Sequence, residues 1–272
     1  MLSQENINSL KPDALSPAEI EAKAEQLAII KASMRFSRLF MLSVLAGAFI
    51  ACGATLFTLV QGDTELPFAV KRIFGAACFS MGLMLVVCCG AELFTGNNLM
   101  ICGLQSKKIG VKGLLYNWLV VWIGNFVGSL IIAALVFGSH MADMNSGAVG
   151  AAMVSIAAGK ISPDALTLFC KAIMCNFLVC LAVWMSFAAR TITDKIICVI
   201  MPVTAFVACG FEHSIANMFF LFEGLFAQMA GYASAGIALS GIFYNLLIVT
   251  LGNIVGGALL VGLVYWFVYA KK

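Results

Sequence analysis

Two glutamates and a histidine stand where an apolar chain seldom carries charge. Cys89-Gly90-Ala91-Glu92 and Cys209-Gly210-Phe211-Glu212 share the pattern C-G-x-E, each in the middle of a long apolar stretch. His213 follows Glu212, and five residues past each glutamate comes an asparagine, Asn97 and Asn217. An ionisable residue inside an apolar segment is costly to keep and is a candidate for function. His213 is the stronger candidate, because imidazole titrates near neutral pH and can donate a hydrogen bond or a proton to a passing weak-acid anion. Glu92 and Glu212 read instead as scaffold, accepting hydrogen bonds from backbone freed at a helix break. Gly90 and Gly210 permit the backbone angles that end a helix. The half-helix resuming after each break then presents unsatisfied N–H groups, which suit an anion.

The elements that must position these groups are membrane spans. Of 272 residues, 62% are hydrophobic and 11% charged, against roughly 25% charged in a soluble domain. A helix needs about 20 apolar residues to cross a bilayer. The pattern predicts spans at about 36–60, 68–104 (broken), 114–137, 165–188, 196–226 (broken) and 242–269. The apolar stretch 147–161 is too short to cross and is expected to form a surface helix or a re-entrant piece. Lys11, Lys23, Lys31, Arg35, Arg38, Lys107, Lys108, Lys112, Arg190, Lys195, Lys271 and Lys272 fall on one side, and only Lys71, Arg72 and Lys160 on the other. The first side should be cytoplasmic. Both termini are therefore expected in the cytoplasm of a multi-pass inner-membrane protein, which requires an even number of crossings.

Residues 1–35 mix Glu and Lys and lack the apolar core of a cleavable signal. Ser16-Pro17-Ala18-Glu19 reads as a helix start. Ile20, Ala24, Leu27 and Lys31 follow at helical spacing, on a helix lying on the membrane or packed on its own protein. Most of the ten cysteines lie inside spans and read as packing residues. No CxxC or CxxH spacing and only two histidines occur, so no metal and no cofactor is expected. No basic stripe with interleaved aromatics points to nucleic acid.

The two halves repeat a second motif, Gly124-Asn125-Phe126-Val127-Gly128 against Gly252-Asn253-Ile254-Val255-Gly256. Three spans per half is an odd number, so the second copy must enter the membrane inverted. In inverted repeats the substrate site lies near the midplane and is built by discontinuous helices, whose unwound backbone is tolerated only where buried or lining a cavity. The expected organisation is an N-terminal segment 1–35, a channel domain 36–269 with repeats at about 36–137 and 165–269, and a tail 270–272.

At these residues the chain resembles the formate/nitrite transporter family. The resemblance rests on Gly90-Ala-Glu-Leu-Phe-Thr-Gly96, Cys175-Asn-Phe-Leu-Val-Cys-Leu-Ala-Val-Trp-Met185, Phe211-Glu-His-Ser-Ile-Ala-Asn-Met218 and Gly252-Asn-Ile-Val-Gly-Gly257, and runs from about residue 30 to the end. It implies an all-α integral membrane fold: a six-span aquaporin-like protomer with inverted three-helix repeats and broken second and fifth spans, assembled as a homopentamer. It also implies roles for individual residues. His213 matches the central pore histidine, and Thr95 the hydroxyl facing it. Phe79, Leu83, Leu93 and Phe94 match the apolar constriction on the cytoplasmic side, and Phe206 the outer one. Lys160, Asn176 and Glu212 resemble the polar residues around the histidine or the outer vestibule, and Asn253 matches an asparagine of span six. The segment 227–241 is Gly/Ala/Ser-rich and shorter than in formate members of the family.

The expected function is transport, passive or coupled to protons, of a small monovalent weak-acid anion. Formate is the first choice, with nitrite or hydrosulfide as alternatives. A neutral-solute channel would fit the broken repeat alone, but paired Asn-Pro-Ala motifs are missing: Asn97 and Asn217 precede Asn98 and Met218. A membrane enzyme would need acids, histidines or cysteines in register, which His213 and the loop residue His140 do not supply.

Overall fold

The computed structural model describes residues 14–270. Lys11, Lys271 and Lys272, used above for orientation, lie outside the described residues. The chain forms α1 (Pro17–Ala32), α2 (Phe36–Gln61), α3 (Phe68–Phe79), α4 (Met81–Cys89), α5 (Phe94–Asn97), α6 (Ile101–Gln105), α7 (Val111–Gly138), α8 (Ala148–Ile161), α9 (Ala165–Ala188), α10 (Ile192–Ala208), α11 (Ser214–Met229), α12 (Leu239–Ile254) and α13 (Val264–Tyr269). A 3-10 turn joins α5 to α6, and nine π-helical residues join α12 to α13.

Five helical stretches are long and apolar enough to cross a membrane: Phe36–Gln61, Phe68–Cys89, Val111–Gly138, Ala165–Ala188 and Leu239–Tyr269. The remaining crossing is shared by two shorter helices, α10 and α11, on either side of the second break. In the first half, α3 and α4 precede the break, and α5 to α6 follow it and end against α1. The protein is thus a six-span helical membrane protein whose second and fifth spans are interrupted. The large apolar side chains left exposed, among them Leu119, Leu135, Ile197, Met201 and Phe267, are what lipid or a neighbouring subunit would cover.

Small residues bring the spans together, as expected where lipid removes the hydrophobic drive between helices. α2 crosses α7 so tightly that a Cβ at Gly128 would sit 1.9 Å from the Val44 carbonyl oxygen, and one at Gly124 2.4 Å from Ser43 Cβ. The second half repeats the crossing between α9 and α12. A Cβ at Gly256 would meet the Ile173 oxygen at 2.2 Å, and one at Gly252 would meet Ala172 Cβ at 2.6 Å.

α1 starts as its sequence predicts. Ser16 and Glu19 form a capping box, with Pro17 in the first turn. The helix packs on its own protein, burying Ile20, Glu21, Ala24, Glu25 and Ala28 against the rest of the chain. Glu25 takes hydrogen bonds from Lys108 and Ser106 on the turn after α6. Its equivalent between the halves is α8, the apolar stretch too short to span. The short loop after α11 is held by Gln228, which accepts from the backbone N–H of Ile237 at 2.8 Å and donates to its carbonyl at 3.1 Å.

Candidate functional site

Both breaks are made in the same way. Gly90 (φ +80°) and Gly210 (φ +71°) take the left-handed conformation. The backbone then runs extended until α5 and α11 begin. One buried asparagine on a neighbouring span ties each extended segment down. Asn125 Oδ1 accepts from the Phe94 N–H at 2.9 Å, and its Nδ2 donates to the carbonyls of Ser43 at 2.7 Å and Glu92 at 2.9 Å. Asn253 Oδ1 accepts from the Ser214 N–H at 2.9 Å, and its Nδ2 donates to Ala172 at 2.8 Å and Glu212 at 2.9 Å. The glutamate N–H groups complete the match, donating to Leu42 and to Lys171 carbonyls at 3.2 and 3.3 Å. Backbone unwound inside a membrane must find such partners, and the G-N-x-V-G motif supplies them.

The carboxylates of Glu92 and Glu212 do not accept from the freed backbone. Each instead faces a lysine and an asparagine. Lys31 Nζ lies 2.7 Å from both oxygens of Glu92, and Asn97 Nδ2 donates to Glu92 Oε2 at 2.7 Å and to Asn117 Oδ1 at 2.9 Å. Asn117 Nδ2 returns to the Lys31 carbonyl at 3.2 Å. In the other half Lys160 Nζ lies 3.1 Å from Glu212 Oε2, and Asn217 Nδ2 donates to that oxygen at 2.6 Å and to Asn245 Oδ1 at 2.8 Å. Asn245 Nδ2 returns to the Lys160 carbonyl at 2.7 Å. These are two copies of one ring, closed in each case by a short helix outside the six spans.

The halves differ at the centre. Thr95 Oγ1 lies 3.1 Å from His213 Nε2, both buried. His213 is the N-cap of α11, and its Nδ1 accepts from the Ala216 N–H at 3.1 Å. A nitrogen that accepts carries no proton, so in the neutral ring the proton is on Nε2. His213 therefore points an N–H donor at Thr95. Phe206 lies over the imidazole, with centroids 5.8 Å apart and planes at 18°. Asn176, fully buried, holds the Thr95 loop from behind, donating to the carbonyls of Asn253 at 2.7 Å and Thr95 at 3.3 Å and to Asn98 Oδ1 at 2.8 Å.

Two cavities open toward this centre from opposite ends. The α8-side cavity, about 420 Å³, is lined by Phe79, Phe206, His213, Glu212 and Phe220, with the cations Lys71, Arg72, Lys160 and Lys171. The α1-side cavity, about 430 Å³, is lined by Leu83, Leu93 and Glu92, with the cations Lys23, Lys31, Arg38 and Lys195. Each thus holds four basic side chains against one acid, together with apolar side chains, Phe79, Phe206 and Phe220 in one and Leu83 and Leu93 in the other.

A family model described as formate/nitrite transporter matches residues 18–267. The chain belongs to the formate/nitrite transporter family. Among its curated members, the formate channel FocA of Escherichia coli K12 is 38% identical over 274 residues, covering 96% of each chain. A probable formate transporter of Methanothermobacter thermautotrophicus is 42% identical, covering 94% of this chain and 98% of the other. A solved pentameric formate channel with formate bound superposes with TM-score 0.77 at 36% identity, covering 87% of this chain and 98% of that one. A formate/nitrite transporter family ion channel superposes with TM-score 0.82 at 32% identity, covering 92% and 98%.

Within this family fold, His213, Thr95, Lys160 and Glu212 lie together around the centre and the α8-side cavity. Asn176 and Asn253 are buried behind it and line neither cavity. Leu83 and Leu93 line the α1-side cavity. Phe79, which the resemblance groups with them, lines the other one, 6.0 Å from Phe206 and 6.3 Å from Phe220 between ring centroids. Phe94 lines neither and packs edge-on against Trp118. Sequence reasoning missed Lys31, Asn117 and Asn245. The available signal was the recurrence of a lysine at the end of a short helix just before the first span of each half.

Proposed function

We propose that this protein conducts small monovalent anions of weak acids across the cytoplasmic membrane, formate first among them. The carrying observation is the pair of matched basic cavities on either side of an apolar waist that holds a hydrogen-bond donor. Four cations against one acid on each side draw anions to both mouths. A neutral solute gains nothing from that charge, which disfavours the neutral-solute reading. The formate channels among its relatives, one solved as a pentamer with formate bound, support both the substrate and a homopentamer with one pore per subunit. The surplus of Lys and Arg on the α1 side supports cytoplasmic termini and makes the α8-side cavity the outer vestibule.

An anion gathered by Lys160 or Lys31 meets apolar rings at Leu83, Leu93, Phe79 and Phe206. An unpaired charge in such surroundings costs many kcal/mol. The Nε2–H of His213 is the donor available at the middle, with the Thr95 hydroxyl opposite. An anion bonded there crosses as a charge. An anion that takes a proton crosses as the neutral acid, with net anion–proton cotransport.

The test is formate uptake into proteoliposomes by stopped flow, across the range where imidazole titrates. His213→Phe removes both the donor and the cap, whereas His213→Asn retains an N–H donor and a good capping oxygen. Uptake should collapse in the first and survive in part in the second. Unchanged rate and pH dependence in His213→Phe would refute the role of the histidine.

A further inference from the structure

One ionisable group inside the membrane takes no part in the bonds described so far. Glu223 on α11 is fully buried, yet among the described residues it has no lysine or arginine partner. Its one hydrogen bond is with Thr58 on α2, whose Oγ1 lies 3.1 Å from Glu223 Oε2. Glu223 Oε1 is buried and without a partner. The other buried acids inside spans, Glu92 and Glu212, each have a lysine. The groups facing Glu223 from other elements cannot stand in for one. α8 brings Met153 and Ala157 against the adjacent Gly224, and the only charged side chain of α7 is Lys112, at its start. Two cations on this side are engaged by aromatic rings beside the vestibule: Lys160 Nζ 5.2 Å from the Phe220 centroid, and the Arg72 guanidinium 5.9 Å from that of Phe57.

The position ties this group to the pore wall. Phe220 precedes Glu223 by one turn of α11, and Phe57 precedes Thr58 on α2. The Phe57 and Phe220 rings meet edge-on, centroids 5.6 Å apart, and both line the outer vestibule. The Glu223–Thr58 bond therefore joins the two helices immediately behind the two rings. A buried carboxylate with no cation is too costly to persist, and such a group neutralises instead. We propose that Glu223 holds a proton and, as the neutral acid, lets α11 and α2 close on each other behind the Phe57–Phe220 wall, with Thr58 donating across the joint, so that losing this proton at alkaline pH leaves an unpaired buried charge that draws in water, parts the helices and slows transport. Glu223 is a positioning residue, acting through the two rings. The inference rests on the anion-conducting reading for its transport readout, and its proton can be tested separately.

Infrared spectra of the full-length protein in liposomes, taken about two pH units above the titration of Glu21 near 7 so that this carboxyl is ionised, should show a protonated-carboxyl band that shifts in D2O. The band should vanish in Glu223→Gln. In the wild type, formate uptake should fall reversibly as pH is raised further, by at least about threefold, as the unpaired charge loosens the joint behind the two rings. Glu223→Gln, which keeps the shape and cannot ionise, should hold its rate there. Thr58→Val, of equal size and without the hydroxyl, should already be slow at neutral pH. Identical spectra for wild type and Glu223→Gln overturn the proton. Equal alkaline loss in both, or full activity in Thr58→Val, overturns the role of the joint. If the wild type passes no small anion at any pH, the proposed function fails while the infrared result still decides the proton.

Discussion

Lys31 and Lys160 occupy equivalent places in the two halves of the protein. One closes on Glu92 at 2.7 Å and the other on Glu212 at 3.1 Å, and the carbonyl of each receives an asparagine side chain, Asn117 or Asn245. A helix outside the six spans thus completes each ring, so α1 is as much a part of the first half as α8 is of the second. Lys31→Met should strand Glu92 with only Asn97. Breaking a buried pair costs about 3–5 kcal/mol, and the residual exposure of Lys31 puts this pair at the low end. Lys31→Met/Glu92→Gln should recover part of that loss. A double-mutant cycle on thermal unfolding measures the coupling, and strict additivity would remove the pair from the account.

The Asn125 and Asn253 clamps make the same three bonds. Replacing either with Ala leaves buried backbone groups unsatisfied, at about 1–3 kcal/mol each. Asn125→Ala and Asn253→Ala should therefore lower the melting temperature of the purified protein by similar amounts. A large disparity between them would show that the halves do not share their load as their geometry suggests.

Thr95→Val keeps the volume beside His213 and deletes the hydroxyl. A hydrogen bond of about 0.5–1.5 kcal/mol corresponds to a change of roughly two- to tenfold in rate. Formate uptake should fall within that range with the fold intact. A rate indistinguishable from wild type would take the hydroxyl out of the conduction path.

α1 carries its own pH dependence. Burial, then the charge of Glu25, raises the Glu21 carboxyl from 4.5 to about 7. Docked α1 therefore binds this proton more tightly than free α1 does. Through Glu21 alone, docking is firmest below 4.5, weakens as pH rises through the interval to about 7, and is level above it. Glu25 moves the other way. Burial raises it, but the hydrogen bonds from Lys108 and Ser106 outweigh that and hold it below its ordinary value, so its effect falls below 4.5. Amide hydrogen exchange along α1, corrected for intrinsic rates, should show protection declining across Glu21's interval, and Glu21→Gln should flatten the decline.

The crossing of α2 and α7 leaves no room at Gly128. Gly128→Ala sets a Cβ against the Val44 oxygen, and overpacking of this kind costs about 1–3 kcal/mol or more. The expected outcome is a clear drop in the yield of folded protein on size-exclusion chromatography. A wild-type profile would mean that the helices part more easily than their packing implies.

Much of this was legible in the chain. The C-G-x-E pairs marked both breaks, since charge and glycine in an apolar run have few other uses, and the G-N-x-V-G pairs marked the spans that hold them. His213 could be named as an ionisable side chain in an apolar run, and Thr95 through the family resemblance of the motif around it. What the chain hid was partnership. Nothing local to Lys31 says that its ammonium reaches Glu92, because the bond spans sixty-one positions. The glutamates were expected to serve the freed backbone, but asparagines on other spans do so. Phe79 joined the other cavity because α3, which also brings Lys71 and Arg72 there, ends on that side, and apolar periodicity carries no information about which end of a pore a ring faces. Glu223 drew no notice, as a single acid in an aromatic run has no repeat to flag it.

The capping role of His213 has a consequence for selectivity. Its ring is pinned along one edge by the Ala216 N–H and along one face by Phe206. A rotamer flip would uncap α11, so the ring cannot swing aside to let a larger solute by. In the proposed conduction path it stands as a fixed post beside Thr95. Flat, compact ions can slip around such a post, whereas a branched or longer carboxylate would have to unseat a helix end first. Discrimination by size is then built into the start of a helix.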